Sequence, residues 1–588
     1  MEYSRVSTPS AGIAPTPTFD SVPMRRSDFR TVGEALDYAA QGEKGYNFHD
    51  ARADLVRAYP YRELAADARR HARHMVGEGV VPGTRIALIA ETGAEFAAAF
   101  FAAIYAGALP VPLPLPTSFG GREAYVDQIR TQLKSCDPAM VLSPPGLFPM
   151  VAQAAEGLCA AHDWSQWFAG EAPDVALPEA KPTDIAYLQY SSGSTRFPHG
   201  VAVTHEALLA NLAGHAIMMG VGPGDRVVSW LPWYHDMGLV GCMLSPMSNQ
   251  LSVDYLATED FARRPLSWLT LISRNPHNTM SYSPTFGYDI CARRISASIN
   301  VAERFDLSRW RVAGNGADMI RPEVMQAFVD VFAPAGFKAT AFLPSYGLAE
   351  ATLAVTIMPL GQGIVSDLID ERTLSGTSGD ARKDQRLPTR YRAIVNCGKP
   401  LPGLTVEIRD EAGRVLPDRK IGRVFVRGLG VMAGYFRDPE ATAAALSPDG
   451  WLDTGDMAYS KDGSLYIVGR AKDMIIINGK NHWPQDIEWA IEQLPGFKAG
   501  DIAAFSITTP SGEEAPAVLV QCRTSDNNER IQLRDAIRTK VKAITGMSCV
   551  VELVPPRTLP RTSSGKLSRS KARLQYLSGE IQPFEIAA

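Results

Sequence analysis

Apolar residues recur along the first part of the chain with two different spacings. Leu64 to Met75 has the spacing of an amphipathic helix, and the apolar positions between Leu208 and Met219 also share one helical face. Short apolar runs bounded by turn residues predict strands at Arg85 to Ala90, Ala139 to Leu142 and Ile185 to Tyr190. Helices and strands that alternate in this way predict a parallel or mixed sheet covered by helices, which is an α/β fold.

The second half of the chain has a different pattern. Val406 to Arg409 and Gly422 to Val426 lie between Gly, Pro and Asp turns, as the strands of a small antiparallel sheet or barrel do. From Pro484 to Leu553 the pattern is self-contained, with two helices and three strands. A unit of this size can hold its own core, so we expect a small α+β domain at the C-terminal end.

Two stretches resemble targeting or membrane segments at first sight. Met1 to about Arg26 is rich in Ser, Thr and Pro and lacks the apolar core of a signal peptide, so we interpret it as a flexible leader. Phe96 to Leu109 is uncharged, but the prolines between residues 110 and 116 end it short of the ~20 residues of a membrane helix. We therefore expect a buried helix here and no transmembrane segment.

The amino-acid composition limits the classes of protein to which the chain can belong. At 588 residues the chain exceeds what one hydrophobic core usually supports, and 45% hydrophobic with 21% charged residues is ordinary for a globular protein. A formal net charge of −4 gives no general attraction to nucleic acid, so we expect no nucleic-acid partner. The seven cysteines are scattered and never spaced C-x-x-C, which argues against a disulfide framework or a zinc site and favours the reducing cytoplasm.

One loop contains several groups that could donate hydrogen bonds to a phosphate. Ser191, Ser192, Gly193, Ser194 and Thr195 follow the predicted strand that ends at residue 190. Their small side chains and freely turning hydroxyls can converge on phosphate oxygens, although such a loop alone is more often a solvated turn. The chain has no G-x-x-x-x-G-K-[ST] and no complete G-x-G-x-x-G, so neither a P-loop NTPase nor a Rossmann dehydrogenase is supported.

Five further motifs follow this loop along the chain. They are Trp-Tyr-His-Asp-Met-Gly-Leu (233–239), Tyr-Gly-Leu-Ala-Glu (346–350), Trp-Leu-Asp-Thr-Gly-Asp (451–456), Gly-Arg-Ala-Lys-Asp (469–473) and Pro-Arg-Thr-Ser-Ser-Gly-Lys (560–566). In order and spacing the chain resembles the adenylate-forming (acyl-adenylate ligase) superfamily over nearly everything from about Phe29 onward. Tyr-His-Asp-Met-Gly-Leu (234–239) and Trp-Pro-Gln-Asp-Ile-Glu (483–488) are most similar to its fatty acyl-AMP ligases.

This resemblance implies a nucleotide site assembled from distant parts of the chain. The loop residues Ser191, Ser192, Gly193, Ser194, Thr195 and Arg196 would bind phosphates. Asn315, Gly316, Ala317 and Asp318 would form one wall of the adenine pocket, and Tyr346, between Ser345 and Gly347, would stack on the other face of the base. Asp456 would accept from the ribose hydroxyls, and Arg470 would support the same sugar. Two residues depart from the superfamily pattern: Arg196 stands where many members have Gly, and His199 stands where many have Lys. Arg196 is therefore a candidate for contacting the pyrophosphate.

The resemblance also implies catalytic residues and an acyl site. Glu350 would hold the Mg²⁺ that travels with ATP, His235 would lie near the carboxylate of the bound acid, and Lys566 would bridge carboxylate and phosphate oxygens. Trp233, Met237, Gly238 and Ser283 would belong to the acyl site. Without the resemblance, each of these residues has a more ordinary interpretation. They are an aromatic residue of the core (Trp233), a buried histidine (His235), an exposed carboxylate (Glu350) and a solvated lysine (Lys566).

For the whole chain, the resemblance implies a large N-terminal domain of mixed sheets covered by helices, with a small β-barrel-like subdomain, followed by a small mobile α+β domain. The expected boundaries are a leader at 1–27, an N-terminal domain at 28–471 and a C-terminal domain at 472–588, with a hinge at Lys472. Residues 351–397 contain a polar, Gly-rich stretch, Ser375 to Arg390, at the place of the insertion that distinguishes fatty acyl-AMP ligases. Its plain interpretation is a surface loop of no consequence.

The expected reaction uses ATP and Mg²⁺ to convert a fatty acid to acyl-adenylate with release of pyrophosphate. The acyl group then passes to the phosphopantetheine arm of an acyl carrier protein, in a pathway of polyketide or lipopeptide type. An acyl-CoA synthetase with the same first half-reaction is the nearest alternative, and a non-catalytic acyl- or nucleotide-binding protein is the alternative of another class. The presence of Glu350, Asp456, Arg470 and Lys566 together argues against the non-catalytic alternative.

Overall fold

A computed structural model describes residues 22–116, 121–190, 199–296, 299–370, 391–477, 480–498, 500–508, 514–546, 548–562 and 566–585. The α-helices of these ranges are α1 (Val32–Ala39), α2 (Tyr61–Gly77), α3 (Ala94–Tyr105), α4 (Gly121–Cys136), α5 (Phe148–Ala155), α6 (Trp164–Trp167), α7 (His205–Met218), α8 (Asp236–Leu239), α9 (Ser245–Ser248), α10 (Thr258–Arg263), α11 (Leu266–Arg274), α12 (Thr285–Arg294), α13 (Val301–Arg304), α14 (Pro322–Phe332), α15 (Pro439–Ala445), α16 (Pro484–Glu492), α17 (Asn527–Thr545) and α18 (Arg569–Leu577).

The strands of the same ranges are β1 (Gly45–His49), β2 (Leu55–Pro60), β3 (Arg85–Ile89), β4 (Leu109–Leu113), β5 (Met140–Ser143), β6 (Ala160–Asp163), β7 (Ile185–Tyr190), β8 (Gly200–Thr204), β9 (Asp225–Ser229), β10 (Val253–Leu256), β11 (Asn278–Ser283), β12 (Trp310–Asn315), β13 (Phe342–Gly347), β14 (Ala354–Ile357), β15 (Ser366–Asp370), β16 (Tyr391–Val395), β17 (Lys399–Pro400), β18 (Leu404–Arg409), β19 (Gly422–Gly428), β20 (Gly434–Tyr435), β21 (Leu452–Lys461), β22 (Ser464–Arg470), β23 (Ile475–Ile477), β24 (Lys480–His482), β25 (Ile502–Thr508), β26 (Glu514–Gln521) and β27 (Val550–Val554).

A nine-stranded mixed sheet is the centre of the N-terminal part. Its order is β17-β14-β13-β12-β11-β9-β10-β1-β2, and the strands from β13 to β1 in that order run parallel. The edge strands β2, β14 and β17 pair antiparallel. The carboxyl ends of β11, β12 and β13 therefore meet at one edge of the sheet, the usual position of ligands in open α/β sheets. The predicted mixed sheet covered by helices is confirmed.

A second sheet, β4-β3-β5-β6, is entirely parallel, and α3 packs beside it. Every residue of α3 except Glu95 is buried, because the helix is almost wholly apolar and lies inside the largest hydrophobic cluster. The uncharged stretch from Phe96 therefore forms a buried helix, as expected because it is too short to span a membrane. No helix in the described ranges combines the length and apolar character that crossing a bilayer requires.

The phosphate-loop residues 191–198 lie outside the described residues, but the strands on either side of them correct one expectation. β7 has the predicted bounds, yet it pairs antiparallel with β8 in the three-stranded sheet β20-β8-β7. The loop thus joins two antiparallel neighbours. The expectation that it follows a strand of an open α/β sheet is wrong, because a strand's apolar run does not reveal its partner.

The expected β-barrel-like subdomain is also corrected. β18, β19, β21 and β22 form an antiparallel sheet in that order, and no closed barrel occurs among the described residues. One face of this sheet packs into a cluster that includes Ile369, Ile394, Tyr466 and Trp483. Because that face is covered by other elements, the sheet buries its apolar side without closing on itself.

The C-terminal residues have hydrophobic clusters of their own. One contains Ile487 and Ile491 of α16, Ile537 and Val541 of α17, and side chains of β25 to β27; a second contains Phe505, Leu559 and Ala572. β25 and β26 are antiparallel, whereas β27 joins β26 in parallel. This α+β arrangement agrees with the pattern of the sequence.

The last residues of the expected leader pack against the body of the protein. The Ser27 and Ser248 hydroxyls are 2.9 Å apart, and the Arg25 backbone N–H donates to Gln250 Oε1 at 2.8 Å. Residues 1–21 lie outside the described part of the chain. Arg25 and Ser27, which the expected leader includes, therefore pack with the N-terminal part.

A buried ion pair crosses the main sheet. Arg226 on β9 donates to both carboxylate oxygens of Asp254 on β10, at 2.5 and 2.8 Å, and His49 on β1 lies 3.0 Å from the same carboxylate. Burial raises the pKa of Asp254, but Arg226 and His49 outweigh this effect and lower it to about 2. The positive charge of Arg226 offsets the free-energy cost of burying the Asp254 carboxylate.

Replacing Arg226 by Met should destabilise the protein by about 3–5 kcal/mol, because it leaves a buried carboxylate without its cation. The free energy of unfolding can be measured by denaturant titration. The control is Arg414→Met, which breaks an Arg–Asp pair with an exposed guanidinium, and should cost at most about 1 kcal/mol. If the two variants lost the same unfolding free energy, the role of Arg226 in compensating the charge of Asp254 would be contradicted.

Candidate active site

A cleft of ≈ 3080 Å³ brings most of the candidate residues together. Its walls come from the sheet edge, from β21 and β22, and from the C-terminal residues. The predicted residues that line it are His235, Met237, Gly316, Ala317, Asp318, Ser345, Tyr346, Gly347, Glu350, Asp456, Arg470, Lys472 and Lys566. Residues separated by more than three hundred positions therefore share one cavity.

The carboxyl ends of three parallel strands form the floor of this cleft. Asn315, at the end of β12, donates from Nδ2 to the Ser283 carbonyl at the end of β11, 3.1 Å away, and its own carbonyl lies 3.3 Å from Ser345 Oγ. A Cβ on Gly316 would approach Ser345 Oγ to 2.9 Å, so this close contact favours glycine. Ala317 follows with φ = 69°, a backbone conformation that is uncommon for a residue with a Cβ and frequent at functional sites.

Tyr346, Asp456 and Arg470 form a connected group on one wall. The Tyr346 hydroxyl donates to Asp456 Oδ2 at 2.7 Å, and Arg470 Nε lies 3.2 Å from Asp456 Oδ1. The pKa of Arg470 is raised, chiefly by the charge of Asp456, while burial and Asp456 raise the pKa of Tyr346. A carboxylate offers about four lone-pair positions, so Asp456 can still accept from two hydroxyls of a ligand.

Glu350 is a half-buried carboxylate at the same wall. Its Oε1 accepts from the Tyr435 hydroxyl at 3.0 Å, and burial raises its pKa. No group of three or more His, Cys, Asp or Glu side chains that could hold a metal occurs in the described part of the chain. Mg²⁺ is usually bound by one or two carboxylates together with substrate phosphates, and a single half-buried carboxylate that lines the cleft fits that arrangement.

His235 and Asp236 form a second polar group. His235 Nδ1 lies 2.7 Å from Asp236 Oδ1, and the Met237 backbone N–H donates to the same carboxylate oxygen at 2.7 Å. Burial raises the pKa of Asp236, but the charge and hydrogen bond of His235, with Lys566, outweigh it, so the pKa is lowered. A proton on Nδ1 satisfies the ionised Asp236, and Nε2 can then donate to a ligand only when the imidazole is positively charged.

Lys566 lines the cleft and is half-buried there, although it belongs to the C-terminal part. Its backbone N–H donates to Thr562 Oγ1 at 3.2 Å, and the Thr562 N–H donates to the Lys566 carbonyl at 2.7 Å, which fixes the two ends of the intervening loop. Burial lowers the pKa of its ammonium group, while the charges of Asp318 and Asp236 act in the opposite direction. The cleft therefore contains a cation close to two carboxylates of the N-terminal part.

The remaining acyl-site candidates lie deeper. Trp233 is fully buried in the aromatic core, with its ring 4.9 Å from Tyr255 and 5.4 Å from Phe96. Ser283 is also fully buried and donates to the Pro284 carbonyl at 2.8 Å. A Cβ on Gly238 would come within 2.1 Å of the Pro232 carbonyl oxygen, so a glycine is required where α8 begins. Of these four candidates, Met237 is the one that reaches the cleft.

The interface between the N-terminal and C-terminal parts is ionic and aromatic. Arg321 pairs with Glu492 at 2.7 Å, and Arg392 donates to Asp486 at 3.2 Å. Both guanidinium groups lie over the ring of Trp489, at 5.4 and 5.5 Å from its centroid. We name these five residues the Trp489 interface.

The predicted hinge residue lines the same cleft as Trp489. Lys472 is in a single 3₁₀ turn, Ala471–Asp473, and burial lowers the pKa of its ammonium group. Asp473 pairs with Arg569 at 3.3 Å, and Arg569 also pairs with Glu488 at 2.7 Å. The turn is therefore connected directly to the C-terminal part.

Two polar residues at this site were missed at the sequence level. Asp236 lies inside a quoted motif, and its position next to a histidine is a signal that could have been used. Tyr435 is 85 residues from Glu350 along the chain, and nothing local connects them. The six phosphate-loop candidates, Ser191 to Arg196, lie outside the described residues.

Comparison with known proteins now identifies the family. Residues 40–436 match the AMP-binding enzyme family. The chain belongs to the AMP-binding enzymes. A Caulobacter vibrioides protein named as an acyl-CoA synthetase is 46% identical over 576 residues, which cover 96% of this chain and 98% of that protein. The medium-chain-fatty-acid–[acyl-carrier-protein] ligase JamA of Moorena producens is 31% identical over 592 residues, covering 96% and 98%.

A solved structure extends the similarity to three dimensions. It comes from work on the fatty acyl-adenylate ligases of E. coli and L. pneumophila and superposes with a TM-score of 0.89. Its sequence is 42% identical, and the match covers 95% of this chain and all of that one. The fold of this AMP-binding enzyme is therefore that of the adenylate-forming superfamily.

Tyr346→Phe should weaken AMP binding by about threefold to tenfold, because Asp456 loses a charge-assisted hydrogen bond that orients it. Isothermal titration calorimetry with AMP measures the effect. The matched control is Tyr459→Phe, since the Tyr459 hydroxyl donates to the buried Asp367 at 3.1 Å, in a different part of the fold. An unchanged affinity in Tyr346→Phe, or the same loss in the control, would contradict this assignment.

Proposed function

We propose that this AMP-binding enzyme is a fatty acyl-AMP ligase. A fatty carboxylate oxygen bonds the α-phosphorus of ATP and pyrophosphate leaves, which gives the acyl-adenylate. The thiol sulfur of a carrier protein's phosphopantetheine arm then bonds the acyl carbon, AMP leaves and the thiol proton is released. The observation that carries the proposal is that Lys566 lines one cleft together with Glu350 and the Tyr346–Asp456–Arg470 group.

The first half-reaction joins two anions, and the proposed roles follow from that difficulty. Lys566 offsets negative charge that gathers between carboxylate and phosphate oxygens, in a cleft where a fixed charge acts more strongly than in water. His235, whose Nδ1 lies against Asp236, donates from Nε2 to the carboxylate of the acid. Glu350 is the residue that would hold Mg²⁺, which neutralises phosphate charge when bound.

The nucleotide contacts proposed here use the rest of the cleft. Tyr346 stacks on the adenine, and Asn315, Gly316, Ala317 and Asp318 form the opposite wall, flanked by Ser345 and Gly347. Asp456 accepts from the ribose hydroxyls and Arg470 keeps Asp456 in place. Ser191, Ser192, Gly193, Ser194, Thr195 and Arg196 are proposed to bind the phosphates.

For the acyl chain, we propose that Met237 contacts it, while Trp233, Gly238 and Ser283 support the wall from behind. The proposed domains are 28–471 and 472–588, with the hinge at Lys472 and the insertion within 351–397. Residues 371–390, which include Ser375 to Arg390, lie outside the described residues. A cytoplasmic location and a carrier of polyketide or lipopeptide type complete the proposal, and the seven unpaired cysteines fit a reducing compartment.

Lys566→Ala should lower the rate of adenylation by ~10²–10³-fold, the usual effect of removing one preorganised charge donor. Pyrophosphate release with a series of fatty acids measures the rate, and calorimetry with ATP should show nearly unchanged binding. Lys540→Ala serves as the control, because Lys540 lies on α17 and contacts Gln493 at 3.3 Å. A rate within a few-fold of the intact protein would refute the role of Lys566.

A second candidate function is acyl-CoA synthesis, which the 46% identical Caulobacter protein supports by its name. The two candidates differ only in the acceptor. The intact protein, given saturating CoA or a holo carrier protein in parallel, should load the carrier and make little acyl-CoA. If CoA is acylated as fast as adenylate forms, the acyl-CoA synthetase assignment replaces the ligase assignment.

A further inference from the structure

Six arginines line one groove on the surface of the N-terminal part. The groove has a volume of ≈ 530 Å³, and its arginines are Arg52, Arg263, Arg264, Arg274, Arg294 and Arg304. All six are exposed. The other lining residues are Ala, Pro, Leu, Ser and Thr, so no acidic side chain among the described residues lines this arginine groove.

The positive charge of the arginine groove is largely uncompensated. Arg274 pairs with Asp54 at 3.2 Å and also donates to the Ala53 carbonyl. The other five form no ion pair within the described ranges. The whole chain has a formal net charge of −4, so this concentration of like charge is a local feature and not a property of the surface in general. A concave surface lined by one sign of charge attracts a partner of the opposite sign.

The arginine groove adjoins the active-site cleft. Arg294, the last residue of α12, lines both cavities, and the residues Phe261 and Ala262 of α10 line the cleft immediately before Arg263. A partner seated in the groove would therefore be next to the cleft that holds the activated acyl group. This position distinguishes the groove from basic patches elsewhere on the surface.

An apolar margin accompanies the arginines. Leu55 and Val56 begin the edge strand β2, directly after Asp54, and they are 49% and 71% exposed. Exposed apolar side chains beside Arg are typical of surfaces that bind another protein. The planar guanidinium group binds a carboxylate through two parallel hydrogen bonds, which gives such a surface orientation as well as attraction.

We propose that the arginine groove is the docking surface for a carboxylate-rich face of the carrier protein that receives the acyl group. The inference rests on the proposed function and adds the position and chemistry of the partner's surface. A concave groove with an apolar margin fits a protein with acidic side chains better than it fits a flat anionic bilayer.

The test is the double variant Arg263→Glu with Arg304→Glu, since neither residue belongs to the proposed active site. The probe is a purified bacterial holo acyl carrier protein with a strongly acidic surface. The KM for this carrier should rise by at least about tenfold, while pyrophosphate release and kcat stay within about twofold. In the intact protein, added NaCl should raise the same KM because salt screens exposed charges.

The matched control is Arg122→Glu with Arg414→Glu, which changes the net charge equally at exposed positions outside the groove. It should leave the KM for the carrier unchanged. Free phosphopantetheine tests for a phosphate site, and phosphatidylglycerol vesicles test for a membrane surface. The proposal would be overturned if the double variant Arg263→Glu with Arg304→Glu lost as much activity with free phosphopantetheine as with the carrier. It would also be overturned if this variant lost vesicle binding but loaded the carrier normally. Failure of the intact protein to bind or load the acidic carrier would overturn it too.

The two proposals fail in different ways. If the intact protein does not release pyrophosphate with any fatty acid, the proposed function is wrong. If pyrophosphate release is normal and the double variant loads the carrier with an unchanged KM, the docking surface alone is wrong.

Discussion

The ammonium group of Lys566 lies in a cleft where the charges of Asp318 and Asp236 act on it in its favour. Its partial removal from water makes the charged form costly, and these carboxylates of the N-terminal part offset some of that cost. The same contact brings Lys566 close to the Tyr346–Asp456–Arg470 group and to Glu350. One cation thereby couples the relative position of two parts of the chain to the completeness of the candidate active site.

The surrounding architecture supplies rigid positions for this contact. The parallel strands β11, β12 and β13 end side by side, and hydrogen bonds join Asn315 to Ser283 and Ser345 to Asn315 near these ends. The sheet itself depends on the buried Arg226–Asp254 pair between β9 and β10. Catalytic groups placed at strand ends move little, which matters because misplacement by about 1 Å can cost a large factor in rate.

Local pattern was sufficient for much of the fold and for part of the site. β7 has its predicted bounds because an apolar run is cut off there by Ser and Gly, and α3 is buried because it has almost no polar side chain. Strand partners were not predictable, since apolar alternation is the same in an open sheet and in a barrel. Tyr435 was missed because its contact with Glu350 depends on the pairing of β20 with β8, which no local feature encodes. Motif resemblance identified the cleft residues, whereas the arginine groove is assembled from four separate stretches of the chain and has no motif.

The Trp489 interface has a consequence for motion. Arg321 and Arg392 approach the same indole ring and pair with Glu492 and Asp486 on one helix. Rotation of the C-terminal residues away from the cleft would have to break both ion pairs and both ring contacts together, because all of them involve α16. The four contacts should therefore be lost in one concerted step, so that α16 acts as a single fastening between the two parts of the chain.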